Sequence, residues 1–209
     1  SNMKIPVPPG FTITTEVCNY FTENNKLPDN LDNEIRKAVK NLESLSDKSF
    51  GGEGTPLLLS VRSGGRVSMP GMMDSVLNIG LNDSNVFQLA EAFNDERFAL
   101  DSYRRLIQMY SNVVLGVEHE RFEAVLANKK RMDNVVSDAD FNVDQLNWII
   151  NAYKNTVERF TDSLFPQDPY EQLTGAIEAV FNSWQNKRAV IYRKINNIPD
   201  SWGTGATIQ

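Results

Sequence analysis

A short apolar run that leads directly into an arginine and a glycine-rich loop constrains the fold of this chain more than any other feature. The run Leu57–Val61 contains four apolar residues in five and is bounded by Pro56 and by Gly64–Gly65. It is shorter than a typical helix, so it predicts a buried β-strand. Successive side chains of a strand point to opposite faces, which puts Arg62 on the more polar face, at the carboxyl end of the strand.

Two interpretations of Arg62 follow from that position. In open α/β sheets, ligands bind outside the carboxyl ends of the strands, and a guanidinium group there offers forked donors to phosphate oxygens. Alternatively, Arg62 forms an ion pair on the protein surface. The strand alone does not decide between the two.

The loop after Arg62 favours ligand binding. Glycines allow positive φ and a close approach of the backbone to a ligand, and serine hydroxyl groups add hydrogen-bond donors. The loop supplies both kinds of residue, at Ser63, Gly64, Gly65, Ser68 and Gly71. These residues predict an anion-binding loop.

The same loop contains three methionines, Met69, Met72 and Met73, which are unusual in so polar a segment. Methionine most often fills gaps in a hydrophobic core. Because the loop also contains Pro70 and Gly71, it cannot be a regular core element. A mobile flap that packs only when closed is therefore the alternative.

Charge and cysteine content limit the classes of partner. The 209 residues carry 21 Lys and Arg against 27 Asp and Glu, a net charge of -6, which argues against nucleic-acid binding and makes any phosphate site a local one. The single cysteine, Cys18, excludes an internal disulfide, and no cluster has the spacing of a metal site. The single cysteine also indicates a reducing, cytoplasmic location. No apolar run approaches the ~20 residues of a membrane span and the start lacks a signal pattern, so we expect no membrane partner.

Hydrophobic periodicity predicts a helix-rich α+β fold with a small sheet. A short strand is expected at 11–14, preceded by a stiff segment that starts at Pro6, and the segment Gly203–Gln209 resembles the start of a central strand of a larger sheet. Apolar residues recur at helical spacing in several segments, which include 31–45, 96–114, 122–126, 146–160 and 169–184. We expect three parts: an α/β part at 1–95, an inserted helical bundle at 96–165, and returning helices with the start of a further strand at 166–209.

Several charged residues on these helices have plain interpretations. Arg105 stands four residues after Asp101, so the two can form an ion pair on a solvated surface. His119 lies between two glutamates and is interpreted as a surface residue. The last predicted helix carries a basic face that we interpret as solvated, formed by Lys187, Arg188, Arg193 and Lys194.

The segment Arg62–Asp83 (RSGGRVSMPGMMDSVLNIGLND) resembles the signature loop in the ATP-binding domain of pyruvate, phosphate dikinases. Three flanking segments agree with this resemblance: Pro6–Cys18 (PVPPGFTITTEVC), Asp101–Ser111 (DSYRRLIQMYS) and Arg188–Thr204 (RAVIYRKINNIPDSWGT). The similarity covers almost the whole chain and is weakest in the helical part from about 117 to 160.

The resemblance implies an ATP-grasp-like fold and a parent enzyme that converts ATP, phosphate and pyruvate to AMP, pyrophosphate and phosphoenolpyruvate through a phosphohistidine. It implies ATP and Mg²⁺ as cofactors and Arg62 as the catalytic residue that stabilises charge on the transferring phosphoryl groups. Arg105, rather than Arg104, is the implied second phosphate-contacting arginine. The expected ATP-binding residues are Arg62, Arg105, Ser63, Gly64, Ser68 and Gly71.

Other members of the implied site are missing from these 209 residues. In this family a glycine-rich segment with an ATP-contacting lysine precedes the Pro6 region, and the metal-binding residues follow Gln209. The phosphohistidine domain, an implied partner along with ATP and phosphate, is also outside the chain, as are the regions through which the parent is expected to form homo-oligomers. We therefore expect a fragment that is inactive alone and binds Mg-ATP very weakly or undetectably.

Two alternatives stay open. The chain can be a non-catalytic interaction or regulatory module that retained the fold. It can also belong to a related pyruvate, water dikinase, although we would not expect the Met-Pro-Gly-Met-Met-Asp loop there.

Overall fold

Eight α-helices and four short strands make up most of the chain between residues 7 and 209, the part that the computed structural model describes. Pro6 and the start of the predicted 1–95 part lie outside the described residues. The strands are β1 (Phe11–Ile13), β2 (Leu59–Gly64), β3 (Ser75–Ile79) and β4 (Gly205–Ile208). The helices are α1 (Thr15–Asn24), α2 (Leu31–Ser46), α3 (Val86–Phe93), α4 (Glu96–Val113), α5 (His119–Asp133), α6 (Val143–Thr161), α7 (Pro169–Ser183) and α8 (Lys187–Ile195). The helix-rich α+β prediction is confirmed. None of the helices in this range is both long and apolar enough to cross a membrane.

The four strands form one sheet in the order β1-β4-β2-β3, and every neighbouring pair is antiparallel. Arg62 pairs with Thr207 of β4 on one side and with Ser75 of β3 on the other. The predicted position of Arg62 at a strand end is wrong, because β2 continues through Gly64. The rule for the carboxyl ends of open α/β sheets does not apply to this antiparallel sheet.

The two faces of the sheet differ sharply in polarity, as the alternation around Arg62 predicts. The inner face packs on α1 and α7 and consists of buried apolar residues: Ile13, Leu59, Val61, Val76, Ile79, Ala206 and Ile208. The opposite face, which we call the outer face, carries Thr12, Ser60, Arg62, Ser75, Leu77 and Thr207. Arg62 is thus held in the middle of the sheet, on its polar face.

Helices α4, α5 and α6 pack against one another. The N-terminus of α4 is capped by Asp95, whose carboxylate accepts a hydrogen bond from the amide of Phe98. The face of α4 that carries Asp101 and Arg104 is not simply solvated, because both residues are buried. One continuous hydrophobic core joins the bundle to the sheet, and the boundaries at 95/96 and 165/166 stay a prediction.

A second, smaller cluster forms where the glycine-methionine loop meets α7 and α8. Its buried members are Met69, Trp184, Ala189 and Ile198, with Met72, Met73, Tyr192 and Trp202 packed around them. The loop is therefore docked, and the interpretation of its methionines as packing residues is correct for Met69, which is 8% exposed.

The predicted solvated basic face of α8 is wrong for Arg193. Ala189 and Arg193 are four residues apart, so they share one helix face, and both are buried. The guanidinium of Arg193 lies 4.1 Å from the ring centroid of Trp184 and donates a hydrogen bond to Asp200 at 2.8 Å. Arg193 thus helps to hold Trp184 and Asp200 in place beside the glycine-methionine loop.

Replacing Met69 with alanine should destabilise the docked loop. Replacing a buried methionine with alanine lowers the free energy of unfolding by at least about 2 kcal/mol. We expect a loss near this lower limit, because the cluster is small and lies near the surface. Met132→Ala is the matched control, since Met132 is 60% exposed and should change the free energy of unfolding by less than about 0.5 kcal/mol. Urea denaturation of both variants measures the difference, and equal effects would contradict the packing role.

The bundle should lose stability at alkaline pH through Tyr153. Burial raises the pKa of Tyr153 from 10.0 to about 12, although nearby Arg104 acts in the opposite direction. The folded chain thus binds the phenol proton more tightly than the unfolded chain, so this contribution is fully present below pH 10 and is lost as the pH rises through about 12. The urea midpoint should therefore fall more steeply above pH 10 in the wild type than in Tyr153→Phe; identical slopes would show that this phenol does not titrate with folding.

Candidate functional site

The guanidinium group of Arg62 stands on the outer face without a compensating carboxylate from the described residues. Its two hydrogen bonds are long and go to neutral groups, the hydroxyl of Ser60 at 3.3 Å and the side-chain oxygen of Gln209 at 3.4 Å. Among residues 7–209, no carboxylate forms an ion pair with Arg62. The interpretation of Arg62 as a surface ion-pair residue is thus not supported, and its donors can bind an anionic ligand.

A cavity of about 410 Å³ opens beside Arg62, between the end of β2 and the loop. It brings together five of the residues expected from the sequence, Arg62, Ser63, Gly64, Ser68 and Gly71. Ser75, Trp184 and Thr204 complete much of its wall. The cavity therefore combines a cation, several hydroxyl groups and a loop backbone.

The glycines that line this cavity have different structural roles. Gly71 has a φ of +71°, and a Cβ added there would meet no described atom within 4 Å, so this residue forms an open apex of the loop. Gly64 and Gly65 do not have positive φ, so that part of the predicted role is wrong for these two glycines. A Cβ on Gly64 would lie 2.8 Å from the hydroxyl oxygen of Thr207, so this glycine is needed for close packing of β2 against β4.

Arg105 does not line the cavity of Arg62. It lines a larger one, about 890 Å³, between α4 and the β3 edge of the sheet. Ser75 borders the first cavity and Leu77 the second, and these two residues are adjacent outward positions of β3. Asn78 ties the strand to α4 through a hydrogen bond to the carbonyl of Ser102 at 3.2 Å. The two arginines thus lie on either side of one strand of the outer face.

The ion pair predicted between Arg105 and Asp101 is present, with Nε of Arg105 2.9 Å from the carboxylate. The other carboxylate oxygen of Asp101 accepts hydrogen bonds from the buried Arg104, with Nε at 2.8 Å. Burial would lower the pKa of Arg104, but the adjacent Asp101 carboxylate keeps it above the ordinary arginine value. Asp101 is therefore fixed by one arginine and holds the other, whose side chain is 62% exposed.

Several residues at the site are not predicted from the sequence. Thr207 and Gln209 reach Arg62 only because β4 pairs with β2, a long-range contact that no local pattern reveals. Helical spacing assigns Trp184 to the buried stripe of α7, without a link to the loop. The available signal is the cluster of methionines in the loop, which indicates an apolar partner without identifying it.

The remaining titratable candidates are less informative. His119 is largely exposed and lies 3.4 Å from Glu123, as expected of a surface residue. Within residues 7–209, no group of three or more His, Cys, Asp or Glu side chains is placed to hold a metal ion. The chemistry that the residues of the Arg62 cavity offer is the binding of an anion by a guanidinium, hydroxyl groups and loop amides.

Comparison with known proteins identifies the family of the chain. The family model described as "Pyruvate phosphate dikinase, AMP/ATP-binding domain" matches residues 1–51 and 25–209. Three proteins named pyruvate, phosphate dikinase are similar to the chain: that of Rickettsia conorii is 49% identical over 210 residues, that of Rhizobium meliloti 47% over 209 and that of Clostridium symbiosum 45% over 207. The alignments cover 98% or more of this chain but only 23–24% of each relative, so the chain spans about a quarter of their length. The chain belongs to the family of the pyruvate phosphate dikinase AMP/ATP-binding domain.

Proposed function

We propose that this chain binds the phosphates of ATP on the outer face of its sheet, as part of an enzyme that converts ATP, phosphate and pyruvate to AMP, pyrophosphate and phosphoenolpyruvate. The observation that carries the proposal is the uncompensated guanidinium of Arg62 in a hydroxyl-lined cavity. The family match and the names of the relatives support the nucleotide and the reaction. They also favour this reaction over that of a pyruvate, water dikinase.

The charge of Arg62 is opposite in sign to the net charge of the chain. The chain has a net charge of -6, so a polyphosphate is repelled by most of the surface and needs a local cation. Arg62 supplies that charge on a fixed strand, and its forked donors match phosphate oxygens. Because its present partners are neutral, a phosphate does not have to displace a carboxylate to reach it.

Arg105 is the second arginine of the proposed site. Its Nε is held by Asp101, which leaves the two terminal nitrogens to donate toward the larger cavity. A ligand that crosses the β3 edge of the outer face would contact both arginines, and a triphosphate has the extended charge to do so. Charge that develops on a transferring phosphoryl group would then be stabilised from two sides.

The wider features of the proposal concern the parent enzyme. We propose that this enzyme has an ATP-grasp-like arrangement and a phosphohistidine domain that receives the phosphoryl group. It is also proposed to form a homo-oligomer through other regions. Mg²⁺ is expected with the triphosphate, but we assign it no ligand within residues 7–209 and no step of the mechanism. The cytoplasmic location inferred from the single cysteine stays a prediction.

Arg62 should be the residue of this chain that responds most to polyphosphate. In an NMR titration with Mg-ATP at millimolar concentration, which detects weak binding, we expect the Nε resonance of Arg62 and the amides of Ser63, Gly64, Ser68 and Gly71 to shift. The shifts should be lost in Arg62→Ala and reduced in Arg62→Lys, because lysine keeps the charge without the fork. Arg121→Ala is the control, since Arg121 is exposed and pairs with Glu118 at the start of α5. Shifts that persist in Arg62→Ala would place the phosphates elsewhere.

In the full-length enzyme, Arg62→Ala should separate the two partial reactions. We expect phosphorylation of the carrier histidine by ATP to fall about 100- to 1,000-fold, the usual effect of removing one charge-stabilising donor, and its phosphorylation by phosphoenolpyruvate to change little. Arg105→Ala should act in the same direction. Rapid-quench assays of both half-reactions measure this, and an equal loss of both would indicate a folding defect instead.

A further inference from the structure

The loop that covers the Arg62 cavity is attached at three separate points, one to Trp202 beyond the end of α8 and two to the corner between α7 and α8. Near its start, the guanidinium of Arg66 lies 5.6 Å from the ring centroid of Trp202. In its middle, Met69 is buried against Trp184. At its end, Asp74 forms hydrogen bonds to the corner. Between the last two points, the apex at Gly71 has open space around it.

Asp74 is the most extensively bonded residue of the loop. Its amide donates to the hydroxyl of Ser183 at 3.3 Å, and one carboxylate oxygen accepts from the side-chain amide of Asn186 at 2.9 Å. The other carboxylate oxygen accepts from Arg188. Asn186 and Arg188 belong to the first turn of α8, where the helix dipole also favours a negative charge.

Arg188 makes a second contact that an ordinary surface ion pair would lack. Its Nε donates to the backbone carbonyl of Met72 at 3.0 Å, while its terminal nitrogen binds Asp74. One guanidinium thus joins two points of the loop, two residues apart, to the helix. A planar guanidinium with two occupied donors cannot rotate freely. It therefore fixes the orientation of the loop segment Met72–Asp74 relative to α8 as well as its distance from the helix.

We propose that Arg188 is a positioning residue that latches the loop through Asp74 and Met72, so that Ser68 and Gly71 face Arg62 across the cavity. This role rests on the proposed function, because it is for phosphate binding that the loop has to stay close to Arg62. Loss of the latch frees the end of the loop nearest β3, while Met69 still anchors its middle. The loop then samples positions in which its amides and the Ser68 hydroxyl no longer converge with Arg62.

Amide hydrogen exchange of this chain tests the latch without any ligand. In Arg188→Ala we expect the hydrogen-bonded loop amides of Met72 and Asp74 to exchange at least about tenfold faster than in the wild type, while those of β2 and α4 stay unchanged. Arg188→Lys should give an intermediate rate, because an ammonium group can satisfy one of the two acceptors in this geometry. Lys187→Ala is the matched control: it removes a neighbouring exposed charge from the same helix turn and should leave the loop at the wild-type rate.

The pairing with Asp74 is tested by a double-mutant cycle. Asp74→Ala should also accelerate exchange of the loop, and adding Arg188→Ala to it should have little further effect. Additive effects would show that Arg188 does not act through Asp74 and would overturn the proposal. So would an unchanged loop in Arg188→Ala, or exchange that accelerates across the whole chain.

A ligand titration separates positioning from a structural role. With pyrophosphate as the probe, Arg188→Ala should weaken binding at Arg62 by roughly three- to tenfold, and Arg188→Lys should recover part of the loss. A freed loop with unchanged affinity would overturn the positioning role. If pyrophosphate and Mg-ATP leave Arg62 of the wild type unaffected, the proposed function fails instead, while the exchange data still decide whether Arg188 holds the loop.

Discussion

The pairing of β2 with β4 is the interaction on which the rest of this structure depends. It joins residues 59–64 to the last residues of the chain in an antiparallel ladder that runs from Gly64 and Gly205 to Val61 and Ile208. The ladder closes tightly at the two glycines, because a Cβ on Gly205 would lie 2.8 Å from the carbonyl oxygen of Gly64. The same ladder puts Thr207 beside Arg62 and brings Gln209 within reach of its guanidinium. The site on the outer face is thus made by segments that are far apart in the sequence, and a register shift of one residue would turn Arg62 into the core.

Four arginines of this chain show how the surroundings, rather than the residue type, decide what a guanidinium can do. Arg104 and Arg193 are almost completely buried, and each has a carboxylate partner, which is the condition under which a buried charge is tolerated. Arg105 is exposed but held by the carboxylate of Asp101. Within the described range, the partners of Arg62 are neutral and lie at long distances. The charge of Arg62 is therefore the one of these four that no carboxylate of the described residues compensates.

Local patterns in the sequence predict the elements well and their contacts poorly. Apolar spacing locates α4 and α7, because helix formation depends on residues within a few positions of each other. Strand alternation correctly puts Arg62 on the polar face. The antiparallel pairing, the separate cavity of Arg105 and the burial of Arg193 could not be predicted, because each depends on residues more distant in the sequence or on which side of a helix faces the core. The docking of the glycine-methionine loop could not be predicted for the same reason, because its partner Trp184 lies at the end of α7, far along the chain.

The proposed phosphate site places two conflicting requirements on the loop. Its backbone has to come close to the ligand, which needs an open apex such as that at Gly71, yet it also has to hold a defined position, which needs buried contacts. The structure separates the two along the chain: Met69 and Asp74 anchor the loop on either side, and the apex at Gly71 lies between them. Because the anchors are apolar at one side and ionic at the other, they respond differently to solution conditions. Salt screens an exposed pair such as Arg188 and Asp74 but hardly affects the packing of Met69, so rising ionic strength should loosen the β3 side of the loop first.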